Sequence, residues 1–374
     1  MRAAMLIITG FLALPLAAVA GADPLVVGAP VVSASAAADR LTLPAPKAGR
    51  TRPLVVVVGE TVGAEVTDFI IPYGVLKDSG VADVRSLSTG PGPIQLRMAL
   101  KIQADQTLAG FDADEPAGAD IVIVPAQMMP GDAALIAWVK AQADRGAVIV
   151  SICEGTRVLA RAGLLDGRRA TTHWGAMKAL TKAYPGTVWV RDRRYVQDGP
   201  IISTTGVSAS IPASLALVEA IGGRPVAEAT ARRLGVTGWS ADHRTGDFHL
   251  GKAEIARALA VMAAVWSHET VEAPITDGVD EIALALRADA WQRSYRTRVV
   301  TTRMGLTPVR SRHGLTLLPD DVARPGRYVI PGGDRPAVTQ LDEALMAMGK
   351  RYGPFAVRMA RLGMEYSPGG RPAG

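Results

Sequence analysis

The sequence predicts an α/β fold, a doubly wound parallel sheet followed by a carboxyl-terminal α/β half-repeat. Three continuous apolar runs, at 54–58, 121–124 and 147–152, are typical of parallel strands buried on both faces. Between these runs lie segments with apolar residues at helical spacing, 62–78 and 132–145. Alternation of strands and helices in this order is typical of parallel βαβ units.

The same alternation continues after the third apolar run. A helical segment follows Cys153 and ends near Gly163, which is a common residue just beyond a helix. We expect this first domain to span residues 52–234. Its remaining predicted elements are a strand at 84–88, short strands at 188–190, 195–196 and 201–204, and a closing helix at 210–221.

The remaining residues, 235–374, contain a weak internal repeat of the first domain. No strand leading to a second cysteine follows Pro331. The carboxyl-terminal extension is therefore predicted to be a truncated, catalytically empty half-copy that packs against the first domain. The segments that correspond in order are 279–290 with 66–76, 298–302 with 85–89, and 328–331 with 123–125.

The first residues resemble an export signal. Arg2 precedes an apolar run at 5–16, and small residues up to Ala20 resemble a cleavage site. We expect a signal peptide over 1–20, a linker over 21–51, and a periplasmic or secreted protein. The alternative is an uncleaved membrane anchor, because the apolar stretch is near the lower length that spans a bilayer.

Composition excludes several classes of site. The chain has 374 residues and a net charge of +6, but its 41 basic residues are dispersed among 35 acidic ones, so we expect no nucleic-acid partner. A single cysteine excludes an intrachain disulfide and a zinc site with two thiolates. The spacing of His243 and His249 fits no common ligand pattern, and we expect neither metal nor cofactor.

Cys153 is the candidate reactive residue. It directly follows the apolar run at 147–152 and precedes a helical segment, so it is predicted to occupy a sharp turn at the carboxyl edge of the sheet. The N–H groups and dipole of a following helix stabilise an anion, which predicts a thiol of low pKa. The alternative is an inert buried cysteine, which is common for a lone cysteine.

The motif around this cysteine resembles a known family. The run Ser151-Ile152-Cys153-Glu154-Gly155, with residues 162–174 after it, resembles the ThiJ/PfpI family of the class I glutamine amidotransferase-like superfamily. The similarity extends in particular to its isonitrile-hydratase-like branch and to the ligand domains of AraC-type regulators. It covers about residues 54–221 and implies a flavodoxin-like sheet.

The resemblance implies roles for two further residues. An acidic residue four positions before a proline meets the nucleophile in that family, and Asp68 before Pro72 matches it. A histidine after two threonines lies near the thiol, and His173 matches it. Asp68 could share a proton with the thiol, and His173 could relay protons. The alternatives are a helix-capping residue for Asp68 and an ordinary polar residue for His173.

The pocket around the thiol is predicted from neighbouring segments. We expect the N–H groups of Glu154 and Ala126 to hold an oxyanion, and Gly155 and Thr205 to line the site. Turn chemistry alone explains the small residues around Thr205 equally well. The chain departs from the family at 125–127, where Pro-Ala-Gln replaces a Gly-Gly pair.

Glu154 is a second departure from the family. The peptidase-like branch has a histidine at this position, so a protease is not expected. A carboxylate there would oppose thiolate formation if it pointed inward, and we expect it to turn towards solvent.

Two functions remain open at this point. The first is a cysteine-dependent hydratase, hydrolase or lyase that acts on a small carbonyl or nitrile-like compound. The second is a non-catalytic ligand-sensing or stress-protective module related to regulator ligand domains. Nothing after Leu234 resembles a paired helix-turn-helix, and an export signal is inconsistent with DNA binding. A small molecule is the expected partner, a homodimer is left open, and membrane contact is expected only with an uncleaved signal.

Overall fold

The computed structural model describes residues 40–97 and 99–367. The predicted signal peptide and most of the predicted linker lie outside the described residues. Within the described ranges, no helix is long and apolar enough to cross a membrane.

A seven-stranded, mostly parallel sheet lies at the centre of the amino-terminal part. Its strands, together with four short strands in separate sheets, are β1 (Leu54–Gly59), β2 (Asp83–Ser88), β3 (Ile94–Gln95), β4 (Lys101–Gln103), β5 (Gln106–Thr107), β6 (Ile121–Val124), β7 (Val148–Ser151), β8 (Arg169–Ala170), β9 (Val188–Trp189), β10 (Tyr195–Asp198) and β11 (Ile201–Thr204). The order across the sheet is β10-β11-β7-β6-β1-β2-β5. All neighbours are parallel apart from the pair β10–β11.

Helices cover both faces of this sheet. They are α1 (Val66–Ser79), α2 (Leu108–Asp114), α3 (Ala133–Asp144), α4 (Thr156–Arg161), α5 (Trp174–Ala183), α6 (Ser210–Gly222) and α7 (Arg224–Leu234). Val55 and Val57 of β1 face a core that contains α1, α6 and α7, whereas Val56 and Val58 face a second core with α2 to α5. Since both faces are apolar, the strand is a continuous apolar run, and the predicted doubly wound fold is confirmed.

The carboxyl-terminal part repeats the first half of this fold. Its elements are α8 (Lys252–Ala263), β12 (Glu269–Pro274), α9 (Glu281–Gln292), β13 (Thr297–Arg303), β14 (Val309–Arg310), β15 (Thr316–Leu318), β16 (Asp321–Val322), β17 (Tyr328–Val329), α10 (Ala337–Tyr352) and α11 (Pro354–Met364). The sheet order β16-β13-β12-β17 corresponds to β5-β2-β1-β6, and α9 connects β12 to β13 as α1 connects β1 to β2. The predicted half-repeat is present.

The two copies contact each other through corresponding elements. Helix α1 packs against α9, and strand β4 pairs with β15 in an antiparallel sheet of order β14-β15-β4-β3. Contacts between like elements are the signature of an approximate two-fold arrangement. Helix α1 is buried from Val66 to Leu76 because the sheet covers one side and α9 covers the other.

Gly74 allows the close approach of these two helices. A Cβ at this position would lie 2.7 Å from Cγ1 of Ile282 and 3.2 Å from Oε1 of Glu281. A larger side chain at the crossing point would therefore force α9 away from α1.

Several elements differ from the prediction. Strand β12 was not predicted, because charged residues interrupt its apolar pattern, with Glu269 and Glu272 in a six-residue strand. The chain after the last strand forms two helices, α10 and α11, and Gly353, with a φ of 81°, separates them. The hairpins β3–β4 and β14–β15 were not predicted either, because their strands are only two or three residues long.

Candidate active site

Cys153 occupies a strained turn at the carboxyl end of β7. Its φ is 56°, in the left-handed region that residues other than glycine rarely adopt, and its side chain is buried. The turn is fixed from several sides. The N–H of Cys153 donates to Oγ1 of Thr204 at 3.2 Å, while its carbonyl accepts from Oγ1 of Thr156 at 3.0 Å and of Thr172 at 3.1 Å.

Gly155 makes this turn possible. A Cβ at Gly155 would lie 2.0 Å from the carbonyl oxygen of Val124, at the end of the neighbouring strand β6. The turn therefore presses against β6 more closely than any side chain allows, which is the role of glycine at a close backbone approach. The predicted site residue Gly155 acts through backbone packing.

Asp68 lies in the first turn of α1 and is fully buried. Its Oδ2 accepts from the N–H of Ala126 at 3.2 Å. Glu65 is the helix cap and accepts from the N–H of Asp68 at 2.7 Å, so the capping role considered for Asp68 belongs to Glu65. Burial, and then the charge of Glu65, raise the pKa of Asp68 well above its usual range, which favours the protonated form of this carboxyl group.

The thiol is surrounded by acidic groups. Burial raises the pKa of Cys153 well above its usual range, and the ionised forms of its acidic neighbours raise the pKa further, in the order Asp68, Glu154, Glu65 and Glu365. This direction contradicts the low pKa predicted from the sequence. The helix that was expected to lower the thiol pKa is short, because α4 has only six residues and a 3₁₀ turn, 153–155, precedes it.

The side chain of Glu154 is 36% exposed and is paired with Arg157. Its Oε2 accepts from Nε of Arg157 at 2.5 Å. Burial raises the pKa of Glu154, but the charge and the hydrogen bond of Arg157 outweigh burial, and the net pKa is lowered. Glu154 is therefore a charged neighbour of the thiol.

His173 lies at the start of α5 and contacts a residue from the far end of the chain. Its Nδ1 accepts from the N–H of Gly175 at 3.1 Å, and its Nε2 lies 3.8 Å from Oε1 of Glu365. The same carboxylate accepts from the N–H of Trp174 at 2.7 Å, and its Oε2 lies 3.0 Å from Nε2 of His243. A buried carboxylate therefore lies between two histidines beside the cysteine site.

Glu365 is held in this position by its backbone. Its φ is 50°, and its carbonyl accepts from Oγ of Ser208 at 2.6 Å. Burial raises the pKa of Glu365, but the close contacts with His243 and His173 and the hydrogen bond from the N–H of Trp174 outweigh burial and lower it. Gly206 packs against this cluster, since a Cβ there would lie 2.8 Å from Cδ2 of His173 and 2.9 Å from Cδ of Glu365.

The half-copy also reaches the site through Arg293. Its Nη2 donates to Oε1 of Glu65 at 3.0 Å, and its Nε donates to Oδ1 of Asp289 at 2.8 Å. Burial raises the pKa of Asp289 to about 7, although the charge of Arg293 opposes this.

Two predicted binding residues have different contacts from those expected. The N–H of Ala126 was predicted to hold an oxyanion, but it donates to Asp68. The N–H of Thr205 donates to the carbonyl of Arg194 at 2.8 Å, and its neighbour Thr204 contacts the cysteine. The side chain of this loop that binds the N–H of Cys153 therefore belongs to Thr204, one residue before the predicted Thr205.

Sequence reasoning missed three contributors to the site: Glu65, Arg293 and Glu365. Glu65 carried a signal, because an acidic residue three positions before Asp68 is a typical helix cap. Arg293 and Glu365 follow the ends of helices in the extension and gave no local signal. Within the described residues, no cluster of three or more histidine, cysteine and acidic side chains could hold a metal ion.

Comparisons with known proteins identify relatives of the first domain. The family model of the DJ-1/PfpI family matches residues 54–220. The HTH-type transcriptional regulator CdhR of Pseudomonas aeruginosa is 35% identical over 135 residues, which are 35% of this chain and 38% of the regulator. Isonitrile hydratase of Pseudomonas putida is 33% identical over 119 residues, which are 31% of this chain and 51% of the hydratase.

A third relative is matched over most of its length. The Parkinson disease protein 7 homolog of Danio rerio is 30% identical over 171 residues, which are 44% of this chain and 88% of that protein. The chain thus spans about half or less of the regulator and the hydratase, but nearly all of this smaller relative.

Proposed function

Because this chain belongs to the DJ-1/PfpI family, we propose that it is a cysteine-dependent hydratase, hydrolase or lyase acting on a small carbonyl or nitrile-like compound. The observation that carries the proposal is the strained turn that holds Cys153 beside Asp68, a fully buried carboxyl group whose pKa is raised. A strained backbone at a sheet edge is common at catalytic positions. One relative is named an isonitrile hydratase, which fits the proposed substrate class.

The first chemical step follows from the protonation states. The sulfur of Cys153 attacks the electrophilic carbon, and a carbon–sulfur bond forms as the carbonyl or nitrile π bond breaks. Asp68 gives its proton to the substrate oxygen or nitrogen that receives the electron pair, and the thiol proton passes to Asp68. Atoms and charge are conserved in this step. The site never holds a free thiolate beside several carboxylates.

The surrounding charges favour a neutral substrate. Glu154, Glu65 and Glu365 all raise the pKa of the thiol through their negative charge, and the same charges repel an anion. The proposed substrates are therefore small and uncharged.

Turnover of a panel of aldehydes, isonitriles and amides by the purified protein tests the proposal. Cys153→Ala should abolish turnover. Asp68→Asn, which has nearly the same shape but cannot serve as an acid, should reduce turnover by about 10²–10⁴-fold. Turnover that survives Cys153→Ala would disprove the cysteine mechanism.

A non-catalytic ligand module is the second candidate, and one observation favours it. The pKa of Cys153 is raised, and the side chain is only 6% exposed, which is also the environment of an inert cysteine. The relative CdhR is named a transcriptional regulator. Binding of panel compounds without turnover would support this candidate.

A further inference from the structure

Arg293 is the residue through which the half-copy reaches the acid of the site. It follows α9 directly and binds two carboxyl groups, Glu65 at 3.0 Å and Asp289 at 2.8 Å. Its side chain is only 12% exposed, so these contacts are made away from water. A buried arginine between carboxyl groups exerts a strong influence on their protonation.

The hydrogen bonds of Glu65 identify it as a carboxylate. Its Oε1 accepts from Arg293, and its Oε2 accepts from Oγ1 of Thr67 at 2.8 Å and from the N–H of Asp68 at 2.7 Å. Every one of these contacts uses Glu65 as an acceptor, which is the pattern of an ionised carboxyl group.

The hydrogen bonds of Asp68 differ from those of Glu65, because one of its two oxygens has no donor among the described residues. Its Oδ2 accepts from the N–H of Ala126, but its buried Oδ1 has no hydrogen-bond partner within the described part of the chain. A bare, buried, charged oxygen is strongly disfavoured, whereas a protonated oxygen can donate to a ligand. The two neighbouring carboxyl groups therefore hold one proton, and this proton lies on Asp68.

We propose that Arg293 is a positioning residue of the cysteine site, which binds Glu65 as the charged member of the pair and, through its own charge, sets the pH at which the acid Asp68 gives up its proton. The proposal rests on the proposed function for its consequence in turnover. It gives the half-copy a role, since a residue of the extension sets the pH range in which the acid of the first domain stays protonated.

The position of Arg293 is fixed by its surroundings. Asp289 binds its Nε, and α11 packs so closely that a Cβ at Gly363 would lie 2.8 Å from its Nη1. Titration of Asp68 depends on all charged and titratable groups that face this network from the elements packed around it. These groups are Glu65, Arg97, Cys153, Glu154, Asp289, Arg293, Tyr295 and Glu365.

Infrared spectroscopy of the full chain tests the proposal without requiring turnover. The protonated carboxyl band that is lost in Asp68→Asn is assigned to Asp68 and followed against pH. Removal of the positive charge in Arg293→Met should shift the pH at which the band disappears upward by about one unit. Arg312→Met is the matched control, because Arg312 makes an exposed pair with Asp280 in the same half-copy.

A second variant tests the same proposal if Arg293→Met does not fold. Asp289→Asn keeps the shape of the side chain but removes a negative charge that competes for Arg293, so the band should disappear at lower pH. An unchanged midpoint in both variants, or an equal shift in Arg312→Met, would overturn the proposal.

Measurements of turnover distinguish a failure of the role of Arg293 from a failure of the proposed function. If the band shifts as expected but no panel compound is turned over, the positioning role stands and the proposed function fails. If turnover depends on Cys153 and the band does not shift, the proposed function stands and the role of Arg293 fails. Where both hold, the alkaline limb of turnover should move upward in Arg293→Met by the same amount as the band.

Discussion

Gly74→Ala tests whether the half-copy is docked on α1 as described. The new Cβ would lie 2.7 Å from Cγ1 of Ile282, and this overpacking should cost about 1–3 kcal/mol. Alanine in a helix interior is favoured over glycine by about 1 kcal/mol, which offsets part of the loss. We therefore expect a net destabilisation of about 1 kcal/mol, whereas an undocked α1 would be stabilised by a similar amount.

Urea unfolding of the full chain measures the sign of this change. Gly110→Ala in α2 is the matched control, because its Cβ would meet only Oγ1 of Thr107 at an ordinary 3.4 Å, and we expect it to be neutral or stabilising. Ile282→Ala should relieve the clash, so Gly74→Ala should no longer destabilise in that background. A Gly74→Ala protein that gains stability in the native background would refute the docking.

Three further predictions concern the site and the chain start. Gly206→Ala should lower turnover by about 100-fold, because a Cβ within 2.9 Å of His173 and Glu365 displaces both side chains. The lowered pKa of Glu365, due to His243 and His173 despite burial, stabilises the fold at neutral pH. This stabilisation is lost as the pH falls through that pKa, so Glu365→Gln should differ from the native protein at pH 7 and converge with it in acid-unfolding curves. Mass spectrometry of the native protein should find a mature chain that begins near Gly21, as we propose from the export pattern.

Two substitutions at positions away from the site serve as controls for Gly206→Ala and Glu365→Gln. Gly186→Ala, where a Cβ would meet nothing within 4 Å, should leave turnover unchanged, and an equal loss would contradict the role of Gly206. Glu228→Gln removes an exposed acidic group and should not alter acid unfolding as Glu365→Gln does. An intact Met1 in a membrane fraction would favour the anchor over a cleaved signal.

The sheet was predictable because its strands are buried on both faces. The run at 121–124 matches β6 residue for residue, since a strand with no polar face leaves an uninterrupted apolar pattern. The half-copy was harder to predict. Its first strand, β12, carries Glu272, whose charge hides the pattern, and only the order of the later segments revealed the repeat.

The cysteine turn was also predictable, but its electrostatics were not. The position of Cys153 after an apolar run predicted the turn, and Asp68 was identified through the resemblance. The thiol pKa depends on Glu65 and Glu365, which lie 88 residues before and 212 residues after the cysteine in the sequence. No local pattern indicates that such distant groups meet. The effect of the helix amino end on the thiol pKa was therefore overestimated.

The pH dependence of iodoacetamide labelling at Cys153 tests the central claim that the thiol and Asp68 both hold protons at neutral pH. The native protein should label with a midpoint above the value of about 8.5 for a free cysteine. Asp68→Asn should lower that midpoint, because the thiol no longer shares its titration with a neighbouring acid. A native midpoint at or below about 8.5, unchanged in Asp68→Asn, would contradict the account.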